Sequence, residues 1–449
     1  MSKGLRIRKG ATIKLEGAAE KIINDNVSSS TYALNPDDFF AMTPKMLLKE
    51  GEQVEAGAPL FYAKHDPRIQ FVSPVAGTLQ AIVRGAKRKI LEVVVSADAK
   101  GKAVKHKVDT PEKMGREKVI ELLLKSGSWP FIRQRPYNIV ANPDVQPKAL
   151  FISAFTTAPL DVDFEFISKN HKDSFQSGID VLKVLCEDII LGVDASFSGV
   201  FEKINQITRV PISGPHPAGN ESVQIHHINP LNNTDKVWTI RPEDVINIGL
   251  LFETGQFQAQ RTVAVAGSLV QKPQYIKTKI GAQIAPMLQA THTENSTPAR
   301  IINGDVLSGN QIHLEGHLGF YNNVISVIPE GNEYRMFGWM PFKDNNVPSI
   351  SKTSFSWLFN KPKKANTNLN GEERALVVTG EMEKVFPMEI YPMQLLKACM
   401  AGDIEKMEQL GIYEVIPEDF GLIDFANTSK LEAQEIIKDA MQLMIKEVG

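Results

Sequence analysis

Ser126-Gly127-Ser128-Trp129-Pro130-Phe131-Ile132-Arg133-Gln134-Arg135-Pro136-Tyr137 separates two apolar segments of different period. Before it, residues 113–125 carry Val119, Ile120, Leu122, Leu123 and Leu124 at helical spacing. After it, Ala149-Leu150-Phe151-Ile152-Ser153-Ala154-Phe155 reads as a buried strand. Helix then strand predicts an α/β unit, and the stretch between them holds the place where a glycine-rich loop would approach a nucleotide or flavin phosphate. Such a loop needs glycines, because only a missing Cβ lets successive backbone N–H groups turn toward an anion. Here the place is taken by aromatic rings, two arginines and two prolines, so a nucleotide-type scaffold is expected without the phosphate chemistry.

The rest of the unit, residues 110–255, agrees. Residues 156–165 have the look of a loop at the carboxyl end of a strand. Residues 176–190 form an amphipathic run with Ile179, Val181, Leu182, Val184, Leu185, Ile189 and Ile190 on a broad apolar face, and Ser198-Gly199-Val200 opens a further element. Neither a Gly-x-Gly-x-x-Gly nor a Gly-x-x-x-x-Gly-Lys-Ser/Thr motif occurs in it. The loop at residues 212–222 alternates Gly and Pro with polar residues and is expected to be an exposed turn. Its His216 has a suitable pKa for proton transfer or ligation, but a histidine held by turn geometry is the plainer reading. The adjacent His226 and His227 would point to opposite faces of a strand, against a shared metal.

On the N-terminal side, residues 1–109 read as short strands between turns. Gly51-Glu52-Gln53-Val54-Glu55-Ala56-Gly57-Ala58-Pro59-Leu60 and Ser73-Pro74-Val75-Ala76-Gly77-Thr78-Leu79 resemble the two halves of a biotinyl/lipoyl carrier, a flattened β-sandwich with glycines at its corners. Lys64 lies near the carrier's modified lysine, but Lys64-His65-Asp66-Pro67 reads as an ordinary turn. On the C-terminal side, residues 256–345 give strand, strand, helix (282–288), strand, as in a small α+β module. His313 and His317 have the four-residue spacing of helical metal ligands, yet Gly316 weakens a helix there. Residues 343–373 read as a linker interrupted by Phe355, Trp357, Leu358 and Phe359. Helices are expected at 395–401, 404–410 and 430–448, serving either core packing or a partner.

Composition narrows the function classes. The 449 residues suffice for about three domains, and 50 Lys+Arg against 52 Asp+Glu gives a net charge of -2, without the basic excess of a nucleic-acid binder. The most basic stretch, from Arg84 to Lys107, suits a solvated strand pair or a local headgroup contact. Neither a signal peptide nor a run long enough to span a membrane is apparent. Cys186 and Cys399 cannot furnish the thiolates of a cluster or zinc ribbon.

Several linked stretches, taken in order, are similar to one family. They are Ile7-Arg8-Lys9-Gly10, the two sandwich halves, Arg84-Gly85-Ala86-Lys87-Arg88, residues 126–137, His216-Pro217-Ala218-Gly219, Val237-Trp238-Thr239-Ile240 and Glu389-Ile390-Tyr391-Pro392. The chain resembles the NqrA family of the sodium-translocating NADH:quinone oxidoreductase, related in fold to the RnfC component of the Rnf complex and to the NADH- and FMN-binding subunit of complex I. Those relatives carry the glycine-rich loop and cysteine-ligated clusters that this chain lacks.

The resemblance implies a barrel-sandwich at 1–109, a degenerate Rossmann-like α/β domain at 110–255, an SLBB β-grasp module at 256–345, and a linker with a helical region at 346–449. It implies a peripheral subunit, inactive alone, on the cytoplasmic face of a bacterial inner membrane. Its partners would be five other subunits, chiefly the quinone-bearing one; FAD, 2Fe–2S, FMN and riboflavin would reside in those partners, with none in this chain, and quinone would be the substrate. No catalytic or metal-ligating residue is expected here. Trp129, Phe131, Arg133, Arg135 and Tyr137 are candidates to approach the quinone headgroup, since rings stack on a quinone and arginines bond its carbonyls; the competing reading is that they plug a vacated cofactor cavity. A stand-alone soluble protein binding a small ligand through the SLBB-like module is the alternative function.

Overall fold

A computed structural model describes residues 4–196, 199–293, 298–332, 348–350, 358 and 361–448. Near the N-terminus, a four-stranded sheet (Thr31–Leu34, Ile90–Ala97, Gly77–Arg84, Gln53–Val54) faces a three-stranded one (Pro44–Met46, Pro59–Ala63, Asp66–Val72). Strand alternation sends Phe61, Phe71, Leu79, Val93 and Val95 inward, and Phe61 stacks on Phe71 with ring centroids 4.8 Å apart. Gly77 is required where strands cross closely, because a Cβ there would lie 1.9 Å from the Ser96 carbonyl oxygen. Lys64 is exposed in the turn joining Pro59–Ala63 to Asp66–Val72.

The first residues do not stay in this sandwich. Leu5–Arg6 runs parallel to the α/β strand Thr208–Ser213, and Glu20–Asn24 joins the edge of the third unit through Gln274–Lys279. Strands this short bury too little apolar surface to announce their partners in sequence. The N-terminal segment thus stitches three units together.

In the α/β unit, helix Pro111–Ser126 ends at Gly127 in the left-handed conformation (φ 76°). The seven-stranded sheet runs Leu5–Arg6, Thr208–Ser213, Ile189–Asp194, Leu150–Ser153, Val237–Thr239, Arg133–Arg135, Ile139–Val140. From Leu150–Ser153 the chain steps outward through two parallel strands, then returns to lay Val237–Thr239 on the other side. That reversal is the switch point at which doubly wound folds open a crevice. Helices Lys172–Leu185 and Pro242–Thr254 pack against each other at unusually close range, since a Cβ on Gly249 would lie 1.8 Å from the Ser174 carbonyl oxygen.

Four expectations are corrected here. The run 176–190 is a helix ending at Leu185 followed by strand Ile189–Asp194, because an apolar run alone does not separate a helix face from a buried strand. Residues 126–137 lead from a helix into the strand Arg133–Arg135, through a 3-10 turn at Trp129–Phe131, whereas a phosphate turn leads from a strand into a helix. The segment in the phosphate position is 154–163, after Leu150–Ser153. Residues 212–222 are largely buried rather than exposed. His216 is 4% exposed and Ala218 fully covered, because Ala11 bonds the His216 carbonyl (2.9 Å) and the C-terminal region closes over Asn220. His226 and His227 lie on a helix, Glu221–Ile228, not a strand. His226 Nδ1 is 2.8 Å from Glu414 and His227 Nε2 is 2.8 Å from the Pro387 carbonyl.

The third unit has a six-stranded sheet ordered Asn310–Gln311, Ala299–Asn303, Val324–Pro329, Gln260–Ala266, Gln274–Lys279, Glu20–Asn24, with its helix at Ala285–Ala290. His313 and His317 lie outside any helix. Buried His317 bonds Thr31 Oγ1 at 3.1 Å through Nε2. The C-terminal helices, chiefly Pro392–Ala401, Ile404–Gln409 and Ala433–Glu447, bury Leu395, Leu396, Ile437, Met441 and Met444 in one cluster with Phe151, Val210 and Ile212 of the central sheet. That tail is core to the α/β unit. Ser198, Phe355, Trp357 and Phe359 lie outside the described residues, while Leu358 is exposed. Among the described residues no helix is long and apolar enough to cross a membrane.

Candidate functional site

At the switch point lies a cavity of about 330 Å³. Ser153 ends the first parallel strand and Thr157 and Asp161 follow it. Glu221 opens helix Glu221–Ile228, Arg241 caps helix Pro242–Thr254, and Arg133 comes from the antiparallel strand Arg133–Arg135. The third unit adds Asp305, Tyr321 and Asn322, the C-terminal region adds Glu418 and the N-terminal sandwich adds Asp38, so four parts of the chain share one chamber.

Arg133 and Arg135, two apart on a strand, face the same side. Arg133 Nη2 donates to both Glu221 carboxylate oxygens at 3.2 Å; Arg135 donates to Ser222 Oγ at 2.7 Å and to Glu221 Oε2 at 3.3 Å. The Arg133 guanidinium also lies 5.0 Å over the Tyr321 ring, whose hydroxyl donates to the Pro130 carbonyl at 2.6 Å. Burial opposes the charge on Glu221, but Arg133, Arg135 and Arg241 outweigh it and hold the carboxyl below its usual range. Burial likewise opposes the charge on Arg133, and Glu221 together with Tyr321, Glu418 and Asp244 more than restores it. In the other acids burial prevails over whatever cations lie near. Burial, with Asp305 nearby, pushes Asp161 up to about 7; burial pushes Asp38 up to about 7 and raises Glu418 and Asp419. Burial lowers His216 to about 4, leaving a neutral ring with Nδ1 3.2 Å from Thr157 Oγ1.

These groups do not suit a nucleotide or flavin phosphate. The loop after Leu150–Ser153 reads Ala154-Phe155-Thr156-Thr157-Ala158-Pro159-Leu160-Asp161, without a glycine. Its polar groups are spent internally: Gly219 N–H donates to Thr157 Oγ1 at 3.0 Å, and Ser153 Oγ donates to the Gly219 carbonyl at 2.8 Å. A phosphate entering here would meet the Asp161 and Glu221 carboxylates.

Behind the cavity is a second, sealed ion cluster. Arg261 Nη1 lies 2.9 Å from Asp244 and 3.5 Å from Glu243, with all three side chains fully covered. Glu243 accepts from Thr262 N–H at 2.8 Å and Asn323 Nδ2 at 2.6 Å, and Arg261 Nη2 donates to the Phe320 carbonyl at 2.7 Å. Burial raises the Glu243 pKa against the pull of Arg261. This cluster joins helix Pro242–Thr254 to strand Gln260–Ala266 and so fixes the third unit against the α/β unit.

The five residues singled out in sequence divide. Trp129 is fully buried, donating from Nε1 to the Ala141 carbonyl at 2.7 Å and meeting Trp238 edge-on at 5.5 Å. Phe131 stacks against Phe257 at 5.8 Å, and Tyr137 meets Tyr413 at 6.1 Å. Arg133 lines the cavity and Arg135 stands behind it, bound to the same carboxylate. Sequence reasoning missed Asp161, Glu221, Arg241 and Glu418. Arg241 was the most findable, because Val237-Trp238-Thr239-Ile240-Arg241-Pro242 is a strand running into a proline-started helix. Glu418 arrives from far downstream, its carbonyl 198 residues along from the Asn220 amide that reaches it, and has no local signal. Burial raises both cysteine thiols, Cys399 up to about 12, which keeps them unreactive.

Three family models match in sequence. The NqrA N-terminal barrel-sandwich hybrid domain matches residues 5–98, the NqrA second alpha/beta domain matches 114–257, and the NQRA C-terminal domain matches 262–313. The NqrA protein of the Na(+)-translocating NADH-quinone reductase of Yersinia pestis bv. Antiqua is 34% identical over 443 residues, covering 97% of this chain and 98% of the relative. Its Neisseria gonorrhoeae counterpart is 34% identical over 449 residues, covering 99% and 100%. Among solved structures, an air-oxidized NAD+-reducing [NiFe]-hydrogenase aligns with 76% of this chain and 62% of its own, at 10% identity and a TM-score of 0.40.

Proposed function

This chain belongs to the NqrA family of the Na(+)-translocating NADH-quinone reductase, and from that premise we propose that it is a cofactor-free, peripheral subunit seated on the cytoplasmic face of the membrane. Five partner subunits would carry FAD, the 2Fe–2S centre, FMN and riboflavin, and quinone would be the electron acceptor of the whole complex. The observation that carries the cofactor-free reading is the crevice at the switch point, where Glu221 engages Arg133 and Arg135 and the loop after Leu150–Ser153 is bonded to residue 219. Filled with its own charges, the crevice serves as the joint that holds four parts of the chain in one rigid arrangement for partners to dock on. A stand-alone ligand-binding protein is not favoured, because the relatives match along the whole chain rather than at the C-terminal module alone.

Mild solubilisation of source membranes and purification through a tag on this chain tests the reading. Flavin-bearing membrane partners with sodium-stimulated NADH:quinone reduction should co-purify, and the chain expressed alone should be colourless and inactive. A solitary protein, or one that retains flavin, overturns it. A direct quinone contact by the 126–137 stretch draws support at Arg133 alone, whose guanidinium lines the cavity. In the assembled complex, Arg133→Lys would then raise the KM for quinone while leaving the KM for NADH unchanged; equal kinetics would remove the contact.

A further inference from the structure

The hairpin joining Gly77–Arg84 to Ile90–Ala97 ends in a short 3-10 turn, Ala86–Arg88. Its tip breaks the inward–outward sorting seen elsewhere in the sandwich. Val83 and Leu91 are 40% and 38% exposed, and Leu91 lies across Gly85, where a Cβ would sit 3.1 Å from its side chain. Arg84, Lys87 and Arg88 surround this apolar pair in solvent. Among the described residues no carboxylate forms an ion pair with these three; Arg84 only donates to the Arg88 carbonyl at 3.1 Å. The nearby acids are engaged elsewhere: Asp37 with Lys89 at 2.7 Å, Glu50 with the Ile82 N–H at 2.7 Å, and Glu92 facing His317 at 3.6 Å. Lys87 and Arg88 both hold left-handed backbone, with φ of 52° and 61°, a conformation that costs β-carbon-bearing residues energy.

We propose that this tip, Val83 to Leu91, docks on a layer of anionic lipid headgroups. The inference rests on the membrane-peripheral reading above. Charge complementarity chooses the occupant: unpaired cations stand out from a chain whose net charge is -2. Shape chooses lipid over protein. A convex tip with two aliphatic side chains cannot bury the roughly 800 Å² per partner of a stable protein interface, whereas a headgroup layer closes around a protrusion. The aliphatics enter the headgroup boundary, and the long cationic side chains span back to phosphate oxygens.

The test uses the purified full-length chain and two kinds of vesicle, phosphatidylcholine alone and phosphatidylcholine mixed with phosphatidylglycerol. The chain should sediment with the anionic vesicles only, and less so as salt rises. Replacing Arg84, Lys87 and Arg88 by Gln should weaken that binding roughly 100-fold. Replacing Lys100, Lys102 and Lys105 by Gln removes the same charge elsewhere and should leave it nearly intact. The pair Lys87→Arg with Arg88→Lys should bind as the original does. Equal weakening by the two triple variants, or binding indifferent to phosphatidylglycerol, overturns the proposal. So does a tip variant that keeps its vesicle binding but no longer co-purifies with membrane partners, which would assign the tip to an acidic protein surface. Co-purification of the unaltered chain separately decides the subunit reading.

Discussion

Two buried arginine clusters differ in how water treats them. Arg133, Arg135 and Glu221 have side chains 7%, 3% and 12% exposed, and Arg133 and Glu221 line the cavity, while Arg261, Glu243 and Asp244 show none. Where water enters, a guanidinium can lose one protein partner and recover a solvent one. Where it cannot, every charge depends on a neighbour supplied by the fold, and removing one strands the others. The cavity cluster therefore tunes a crevice, and the sealed cluster fixes one unit to another.

The sharpest break of this comparison is Arg261→Ala. It leaves the Glu243 and Asp244 carboxylates covered and unpaired, and should cost ~3–5 kcal/mol in urea denaturation. A loss below about 1 kcal/mol would show that water reaches this cluster too, and the contrast would collapse.

Glu221→Gln should cost less, about 1–3 kcal/mol, because cavity water can serve Arg133 and Arg135 keeps its bond to Ser222 Oγ. Its pH dependence has a definite sign. The folded-state pKa of Glu221 is depressed, so its stabilisation is present above the unfolded carboxyl value and is lost as pH falls through the folded one. The gap between variant and original in thermal melts should close in acid; a constant gap would mean that the carboxylate charge is not what matters.

Asp161→Asn sharpens the comparison in the opposite direction. With its pKa pushed up to about 7, Asp161 stabilises the fold below its unfolded value, and that contribution is lost as pH rises through about 7. Asparagine can still accept from the Val162 N–H, which Asp161 Oδ1 does at 2.7 Å. The variant should melt higher than the original at about pH 8, by ~1 kcal/mol, and match it at about pH 4. A variant less stable at both would show Asp161 to be paired and charged.

The smallest effect belongs to a third kind of arginine. Arg68 bridges Asp66 and Asp144 at 2.7 and 2.6 Å with half its side chain in solvent, and Arg68→Gln should leave the melting curve unchanged. A measurable loss would mean that exposure ranks these clusters poorly.

The α/β character was legible at 113–125 and 149–155, whose periods survive folding because each element buries one face of its own. The sandwich halves were legible because alternating apolar residues and corner glycines are local signals. The strands Leu5–Arg6 and Glu20–Asn24 were not, since they pair with the distant Thr208–Ser213 and Gln274–Lys279 and their own residues are largely exposed. At the site, Arg133 and Arg135 were visible as an unusual pair, but their partner Glu221 sat in a loop read as solvent-exposed. Trp129 and Phe131 drew notice for their chemistry, yet they pack in the core.

By itself, the sequence determined the family, the order of the units and the lack of a glycine-rich phosphate loop, because each depends on residue types in fixed local spacing. Only the tertiary structure decided where the crevice lies, which acids and arginines share it, and that the pKa of Asp161 is pushed up while that of Glu221 is held down. Those outcomes depend on burial and on charges a few ångströms apart in space. Both are set by segments that pack from distant parts of the chain, such as Glu418 against Arg241, and no local pattern of residues records them.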